Sequence, residues 1–387
     1  MRIVFVVENL ATGTLRYTED LINGLASAGH ACKLVCLSGS IPRGAGSTFE
    51  FVEMPTFLRP NVKSAWGAAL LQVIPPLVFM LGLRRLLVRE RPHVLLAQNM
   101  DESALTCCLA GMGLKSTLVL FVHDLTEREL LVYQHGFHPV ALPTLYAAAK
   151  VRHEIVARFR PRFIAASEFI RTNIQDSSSY QIEVIRHGPR VLVSKPPRST
   201  GSGGLHLLCV GRLELKKRFD LVIRAMTLLE DLDVVLVVVG DGPLKHDLES
   251  LSEKLGVSDR VRFTGYLDDA KLSDELATAD LVIVASVWEG FGYVALEAMQ
   301  ASVAVIASRS GSLPEIVRDR VNGRLFSPGD YAELAGIIRE LDRDRESLDE
   351  LRKGAFATAG SYSAVRMVRE TEAAFVSFVN QTLDPPT

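Results

Sequence analysis

"DLVIVASVWEGFGYVALEAM", Asp280 to Met299, sets out the fold in twenty residues. Its first third is an apolar, β-branched run, which reads as a buried strand. Gly290-Phe291-Gly292 reads as a tight turn, and Tyr293–Gln300 reads as a helix by its pattern. Strand, glycine turn and helix in succession form the repeating unit of a parallel α/β sheet. Two glutamates, Glu289 and Glu297, flank the turn with seven residues between them.

The same alternation runs through the chain. "RIVFVV", "ACKLVCL", "HVLLAQ", "TLVLFVH" and "RFIAAS" are strand candidates in the first half. "LHLLCVG", "DVVLVVVG", "RVRFTG", "DLVIVAS" and "VAVIAS" are candidates in the second. Nearly continuous apolar strands separated by amphipathic stretches predict parallel sheets covered on both faces. Each half therefore reads as an open, doubly wound domain, whose ligands bind outside the carboxyl ends of the strands. With two such halves, the cleft between them is the expected active site.

The length of 387 residues suits two domains. The linker is expected at "SKPPRSTGSGG", Ser194–Gly204, because Pro, Ser and Gly punctuate two periodic regions there. Domain one is then 1–193 and domain two 205–360, with a final helical segment at 361–387. A hydrophobic content of 48% and a charged content of 23% exclude a disordered chain. The net charge of −2 hides an asymmetry: residues 1–200 carry 22 Lys+Arg against 15 Asp+Glu, and residues 201–387 carry 21 against 30. A basic first half favours an anionic surface, an anionic acceptor or nucleic acid.

Five cysteines in apolar runs, an odd number without histidines at metal-ligand spacing, fit reduced thiols of a cytoplasmic protein. "MRIVFVVENL" is too short for a signal peptide and is interrupted by Glu8; it reads as a first strand. Ser64–Leu83 carries no charge, but Pro75-Pro76 breaks it. It reads as one or two buried helices, as a membrane-surface helix pair with Arg84, Arg85, Arg89 and Arg91 at the headgroups, or, least favoured, as a spanning helix.

Four loops carry the chemistry. Strand Leu205–Val210 runs into Gly211-Arg212, with Lys216, Lys217 and Arg218 just beyond. Gly240-Asp241-Gly242-Pro243 closes another strand, Gly265-Tyr266 a third, and the Glu289 turn a fourth. Neither "VGDGPL" nor "GMGLKS" completes a dinucleotide fingerprint. All four loops are expected at one edge of one parallel sheet. Glycines admit close backbone approach, and Arg and Lys bind phosphate oxygens, so together they suggest a nucleotide diphosphate site. Eight helical positions span about 12 Å, comparable to the distance between the sugar and the ribose of a nucleotide sugar. An acidic helix start beside one exposed glutamate explains the pair of carboxylates equally well on pattern alone.

"GRLELKKRFD", "VGDGPL", "VRFTGYL" and "SVWEGFGYVALEAM…VIASRSGSLPEIVRDRVNGRLF" resemble, in order and spacing, the donor domain of retaining glycosyltransferases of family four. The resemblance covers most of residues 205–330. It implies the GT-B fold, with two Rossmann-like domains, a cleft between them and a C-terminal helix that packs back on the first. It implies that Arg212 and Lys217 contact the donor diphosphate, that Glu289 orients the donor sugar and that Glu297 binds the ribose. Phe291, Gly292 and Tyr293 would border sugar and phosphate, and Gly240, Gly265 and Tyr266 complete the expected donor site.

The first domain resembles the family through "NLATGTLRYTEDLINGLASAGHACKLV", in which Thr12-Gly13 replaces a glycine pair and Gly13 offers its amide to the diphosphate. "FVHD" places His123 at the family's strand-end histidine, which reaches the donor sugar or the reacting centre. "AASEFIRTNI" places Ser167 at a hallmark serine. "VIRHGPR" departs from the usual Asn-Gly-x-Asp, with His187 and Arg190 at its polar positions. Ser302, Ala304 and Ser312 stand where Gly and Pro are common.

The implied reaction moves a sugar from a UDP- or GDP-sugar to a hydroxyl with retention of configuration. Two carboxylates on one helical track are too far apart for a retaining glycosidase, which needs them about 5–5.5 Å apart. A leaving diphosphate that helps deprotonate the acceptor needs an electrostatic clamp and no enzyme nucleophile. None of the four loops carries an Asp-x-Asp triplet, so neither metal nor cofactor is expected. A lipid-linked or envelope-glycan acceptor and an anionic membrane at its inner face are the expected partners, and nucleic acid is not. The rivals are a catalytically silent sugar-nucleotide-binding regulator and an epimerase or phosphorylase of the same fold. A nicotinamide-dependent enzyme comes third.

Overall fold

The computed structural model describes residues 1–7, 12–36, 50–53, 77–98, 102–124, 141–174, 179–188 and 203–383. The chain divides into two compact units. One joins Met1–Gly188 to Ala364–Thr387, and the other is Pro189–Ser363. The expected linker, up to residue 202, lies outside the described residues, as do positions 64–76 of the uncharged segment.

Among the described residues, the first unit holds a seven-stranded parallel sheet: β1 (Arg2–Val7), β2 (Ala31–Cys36), β3 (Glu50–Glu53), β4 (Val94–Gln98), β5 (Thr117–Val122), β6 (Arg162–Ala165) and β7 (Ile182–Val184). Their spatial order is β3-β2-β1-β4-β5-β6-β7. The helices described are α1 (Thr12–Ser27), α2 (Leu77–Glu90), α3 (Glu102–Ala110), α4 (Ala141–Ala157) and α5 (Glu168–Asn173). β1 and β4 are buried almost throughout, as expected of central strands with helices on both faces.

The second unit repeats the plan. β8 (Leu205–Val210), β9 (Val234–Val239), β10 (Val261–Gly265), β11 (Leu281–Val284), β12 (Ala304–Ser308) and β13 (Gly323–Phe326) pair in the order β10-β9-β8-β11-β12-β13, all parallel. Its helices are α6 (Phe219–Met226), α7 (Lys245–Lys254), α8 (Asp269–Thr278), α9 (Tyr293–Gln300), α10 (Leu313–Ile316), α11 (Tyr331–Arg343) and α12 (Arg345–Ala359). The strand order runs outward from β8 in both directions, which with the right-handed crossovers usual of parallel sheets divides the helices between the two faces. The buried stripe of α11, Leu334, Ile338 and Leu341, follows helical spacing and joins the core with Val222 and Met226 of α6. Each such side chain contributes about 1.5–3 kcal/mol of burial.

The final helix, α13 (Ala364–Leu383), belongs to the first unit and packs on α1. Gly24 makes the approach possible: a Cβ there would sit 2.3 Å from Val368 Cγ2. His30 Nε2 and Glu372 Oε1, 2.8 Å apart, fasten the same contact.

The ten strands expected from sequence are present. β3, β7 and β13, each short, at the edge of its sheet and carrying a charged residue, were not expected. None of the five cysteines forms a disulfide, and all five are buried. Two expectations need correction. Gly13 lies not in a loop but in the first turn of α1, which begins at Thr12. Arg84 does not face outward: its Nη1 donates to the carbonyls of Ala110 and Met112, at 2.9 and 2.8 Å, and pins the turn after α3 to α2. No described helix is long and apolar enough to cross a membrane.

Candidate functional site

In the second unit the strand order reverses at β8, which has β9 on one side and β11 on the other. Ligands of open α/β sheets bind outside the carboxyl ends of the strands at such a switch point. The four glycine loops leave β8, β9, β10 and β11, four adjacent strands, at that edge. Each has a glycine in positive-φ backbone: Gly211 at 149°, Gly240 at 136°, Gly265 at 72° and Gly292 at 100°. Side-chain-bearing residues avoid this region, which accounts for the residue type at all four turns. Gly240 is doubly constrained, because a Cβ there would lie 1.9 Å from the Gly211 carbonyl oxygen.

Lys217 and Glu289 meet across the switch point. Lys217 ends a short 3₁₀ turn, Leu215–Lys217, after β8, and Glu289 follows β11. Lys217 Nζ lies 2.7 Å from Glu289 Oε1, and Ser286 Oγ donates to the same oxygen at 2.6 Å. Burial acts to raise the Glu289 pKa. The charges of Lys217 and Lys216 and the two hydrogen bonds outweigh it and hold the carboxyl below its usual range. Among the described residues both bonds fall on Oε1, so Oε2 can accept further donors. Lys216 is buried, with its ammonium 5.2 Å from the centre of the Trp288 ring, and its carbonyl accepts from the Val287 amide at 2.8 Å.

A row of serines that the sequence reading did not assign braces this loop. Ser308 Oγ donates to the Ser286 carbonyl at 2.6 Å, and Ser310 Oγ donates to the Val287 carbonyl. The Ser312 amide and hydroxyl both donate to the Glu289 carbonyl, at 3.0 Å each. Gly311, at φ 60°, backs directly onto Glu289: a Cβ would sit 2.5 Å from its amide nitrogen. The signal was "SRSGS", but hydroxyls in a loop do not reveal which distant carbonyls they reach.

The remaining expected residues fall into place as follows. Gly292 precedes α9, Tyr293 opens it, and Glu297 lies half-buried in its second turn. Phe291 is buried and packs edge-on against Tyr293 and Tyr362. Tyr266 is 66% exposed beside Gly265. Arg212 is exposed and lies 3.5 Å from Glu214, not on the Lys217–Glu289 pair. The spacing argument for the glutamates needs correction. α9 begins only at Tyr293, so Glu289 is in the loop and the two carboxylates do not share a helical track. The helical rise applies to the last four steps, about 6 Å.

Gly13 and His123 lie in the first unit. His123, just past β5, is half-buried; its Nδ1 lies 3.1 Å from Nε2 of His187, and its ring faces Phe121 and Tyr17. Burial lowers its pKa to about 3, against a weaker opposing pull from Asp124. Ser167 has a structural part here: it is the N-cap of α5, with its Oγ accepting from the Ile170 amide at 3.2 Å. Among the described residues no cluster of His, Cys, Asp or Glu is arranged to hold a metal ion.

Comparison with known proteins agrees with this division. Residues 12–188 match the model of the glycosyl transferase 4-like domain, and residues 198–358 match that of glycosyl transferases group 1. A lipopolysaccharide core biosynthesis mannosyltransferase of Rhizobium leguminosarum bv. viciae is 28% identical over 367 residues, 88% of this chain and 94% of that one. An uncharacterized glycosyltransferase of Methanocaldococcus jannaschii is 42% identical over 137 residues, so the chain spans about a third (35%) of that relative's length. The structure of Anabaena HepE in complex with UDP-glucose superposes with a TM-score of 0.75 at 20% identity, covering 97% of this chain and 100% of that one. This likeness shows the fold, two Rossmann-like parallel-sheet domains of the GT-B type. The chain is thus similar to the glycosyl transferase 4-like domain over residues 12–188 and to glycosyl transferases group 1 over residues 198–358.

Proposed function

We propose that the protein transfers a glycosyl unit from a UDP- or GDP-sugar to an acceptor hydroxyl, with retention of anomeric configuration. The observation that carries this reading is the Lys217–Glu289 pair at the switch point of the second sheet, with positive-φ glycines in the loops of four adjacent strands at the same edge. Lys217, Arg212 and the amides of Phe291, Gly292 and Tyr293 hold the diphosphate and neutralise charge as it departs. Glu289 Oε2 accepts hydrogen bonds from the donor sugar, and Glu297 accepts from the ribose. The resemblance gives His123 a contact with the sugar or the reacting centre. The acceptor oxygen attacks the anomeric carbon while the bond to phosphate breaks, and the acceptor proton passes to the leaving phosphate. Side chains and amides supply the positive charge, so the chemistry is assigned no metal.

For the acceptor we favour a lipid-linked or envelope glycan at the inner face of a membrane. The mannosyltransferase of lipopolysaccharide core biosynthesis supports this choice. So does one face of α2, where Leu81, Arg85, Val88 and Arg89 are exposed at helical spacing.

A screen of UDP- and GDP-sugars, read by thermal shift and by release of nucleoside diphosphate, tests the proposal. One sugar nucleotide should raise the Tm and be turned over. No shift and no turnover with any of them would remove it.

A further inference from the structure

His187 stands where the chain departs from the Asn-Gly-x-Asp pattern, and the structure gives that departure a partner. It is fully buried, three residues past β7, and its Nε2 lies 3.1 Å from Nδ1 of His123. The two imidazole planes are 23° apart, with ring centroids 5.0 Å from each other. One cage encloses both rings. Tyr17 meets His123 at 4.6 Å and His187 at 4.2 Å between centroids, and Phe121 meets them at 4.6 and 5.4 Å.

We propose that His187 is a positioning residue that fixes the tautomer of His123. A neutral imidazole has one donor nitrogen and one acceptor nitrogen. In a bond between two such rings, one nitrogen carries the proton and the other offers a lone pair. The choice at Nδ1 of His123 therefore sets Nε2 as either a pure donor or a pure acceptor. The shared cage hinders either ring from turning over without the other. Burial, together with His123 for His187, drives both pKa values down, so both rings stay neutral at pH 7 and the coupling persists there. Asp124 and Arg186 are the charged neighbours in sequence.

The inference rests on His123 meeting the sugar or the reacting centre, and its test separates the two claims. The full chain is labelled with ¹⁵N in its imidazoles, and two-bond ¹H–¹⁵N correlations are recorded at pH 7, with His123 assigned from a His123→Gln variant. Wild type should show His123 as one tautomer. His187→Phe keeps an aromatic ring in the cage and removes the nitrogen, so the His123 shifts should move to those of a tautomer mixture. Turnover should fall about tenfold or more, with donor KM altered less than about twofold. His187→Gln brings an amide near the former Nε2 and should restore both the single tautomer and most of the turnover. A tautomer mixture in wild type, or an unchanged His123 tautomer in His187→Phe, overturns the proposal. If His187→Phe does not fold, the wild-type and His187→Gln spectra decide, because a mixture in either overturns it. If His123→Gln transfers sugar at the wild-type rate while the tautomer still follows His187, the role given to His123 falls and the coupling stands.

Discussion

Lys217 Nζ and Glu289 Oε1 lie 2.7 Å apart, joining residues 72 positions apart in sequence across the point where the second sheet reverses its strand order. The pair is held from both sides: a 3₁₀ turn delivers the lysine, and a serine-braced loop delivers the glutamate. If it orients the donor, Glu289→Ala should lower turnover by about 10²–10³-fold while the far-ultraviolet circular dichroism stays that of wild type. Wild-type turnover in that variant would sink the site assignment.

The carboxyl of Glu289 is held below its ordinary 4.5, because Lys217, Lys216 and the two hydrogen bonds outweigh burial. A group with a depressed folded pKa contributes stability above its unfolded pKa and loses it as pH falls through the folded value. Urea titrations of wild type and Glu289→Gln should therefore differ by a constant amount, about 1–3 kcal/mol, from pH 7 to pH 5. The difference should shrink only below about pH 4.5. Shrinkage already between pH 7 and pH 5 would mean that the carboxyl titrates higher and the clamp is weaker than its geometry indicates.

Gly240→Ala should be among the most damaging single-methyl changes in the second unit. The added Cβ meets the Gly211 carbonyl oxygen at 1.9 Å, and φ stays at 136°. A loss of about 3 kcal/mol or more is expected from overpacking plus backbone strain. Gly256→Ala has positive φ but nothing within 4 Å, so it should cost only the backbone share, about 1–2 kcal/mol. Equal losses in the two variants would refute the packing argument.

Ser167→Ala should cost about 1 kcal/mol of stability through loss of the α5 cap, with KM and kcat within twofold of wild type. A large kcat defect with unchanged stability would instead assign this serine to the chemistry.

Docking of α2 on a membrane predicts binding to vesicles rich in anionic lipid that weakens with salt. Arg85→Gln with Arg89→Gln removes two surface charges worth about 1 kcal/mol each, so binding should fall on the order of thirtyfold. Arg84→Gln, which removes an inward-facing guanidinium, should leave vesicle binding close to wild type. Wild type that does not float with such vesicles at low salt would end this reading.

Much of the fold was legible because central strands buried on both faces are apolar along their length, and most of the ten strands read from the sequence announced themselves that way. The strands Glu50–Glu53, Ile182–Val184 and Gly323–Phe326 did not, since Glu50, Glu53, Glu183 and Arg324 break or bound runs that are already short. The glycines at 211, 240, 265 and 292 were legible as turns, because few other residues tolerate the backbone they adopt. The pairing of Lys217 with Glu289 was not legible. Nor was the serine brace, the inward turn of Arg84, or the contact between His123 and His187. Sequence by itself determined which residues are apolar, which turns need glycine and where charge can gather, all of which are local properties of the chain. Only the tertiary structure decided which of those groups meet, because strand order, not sequence distance, brings the ends of β8 and β11 side by side.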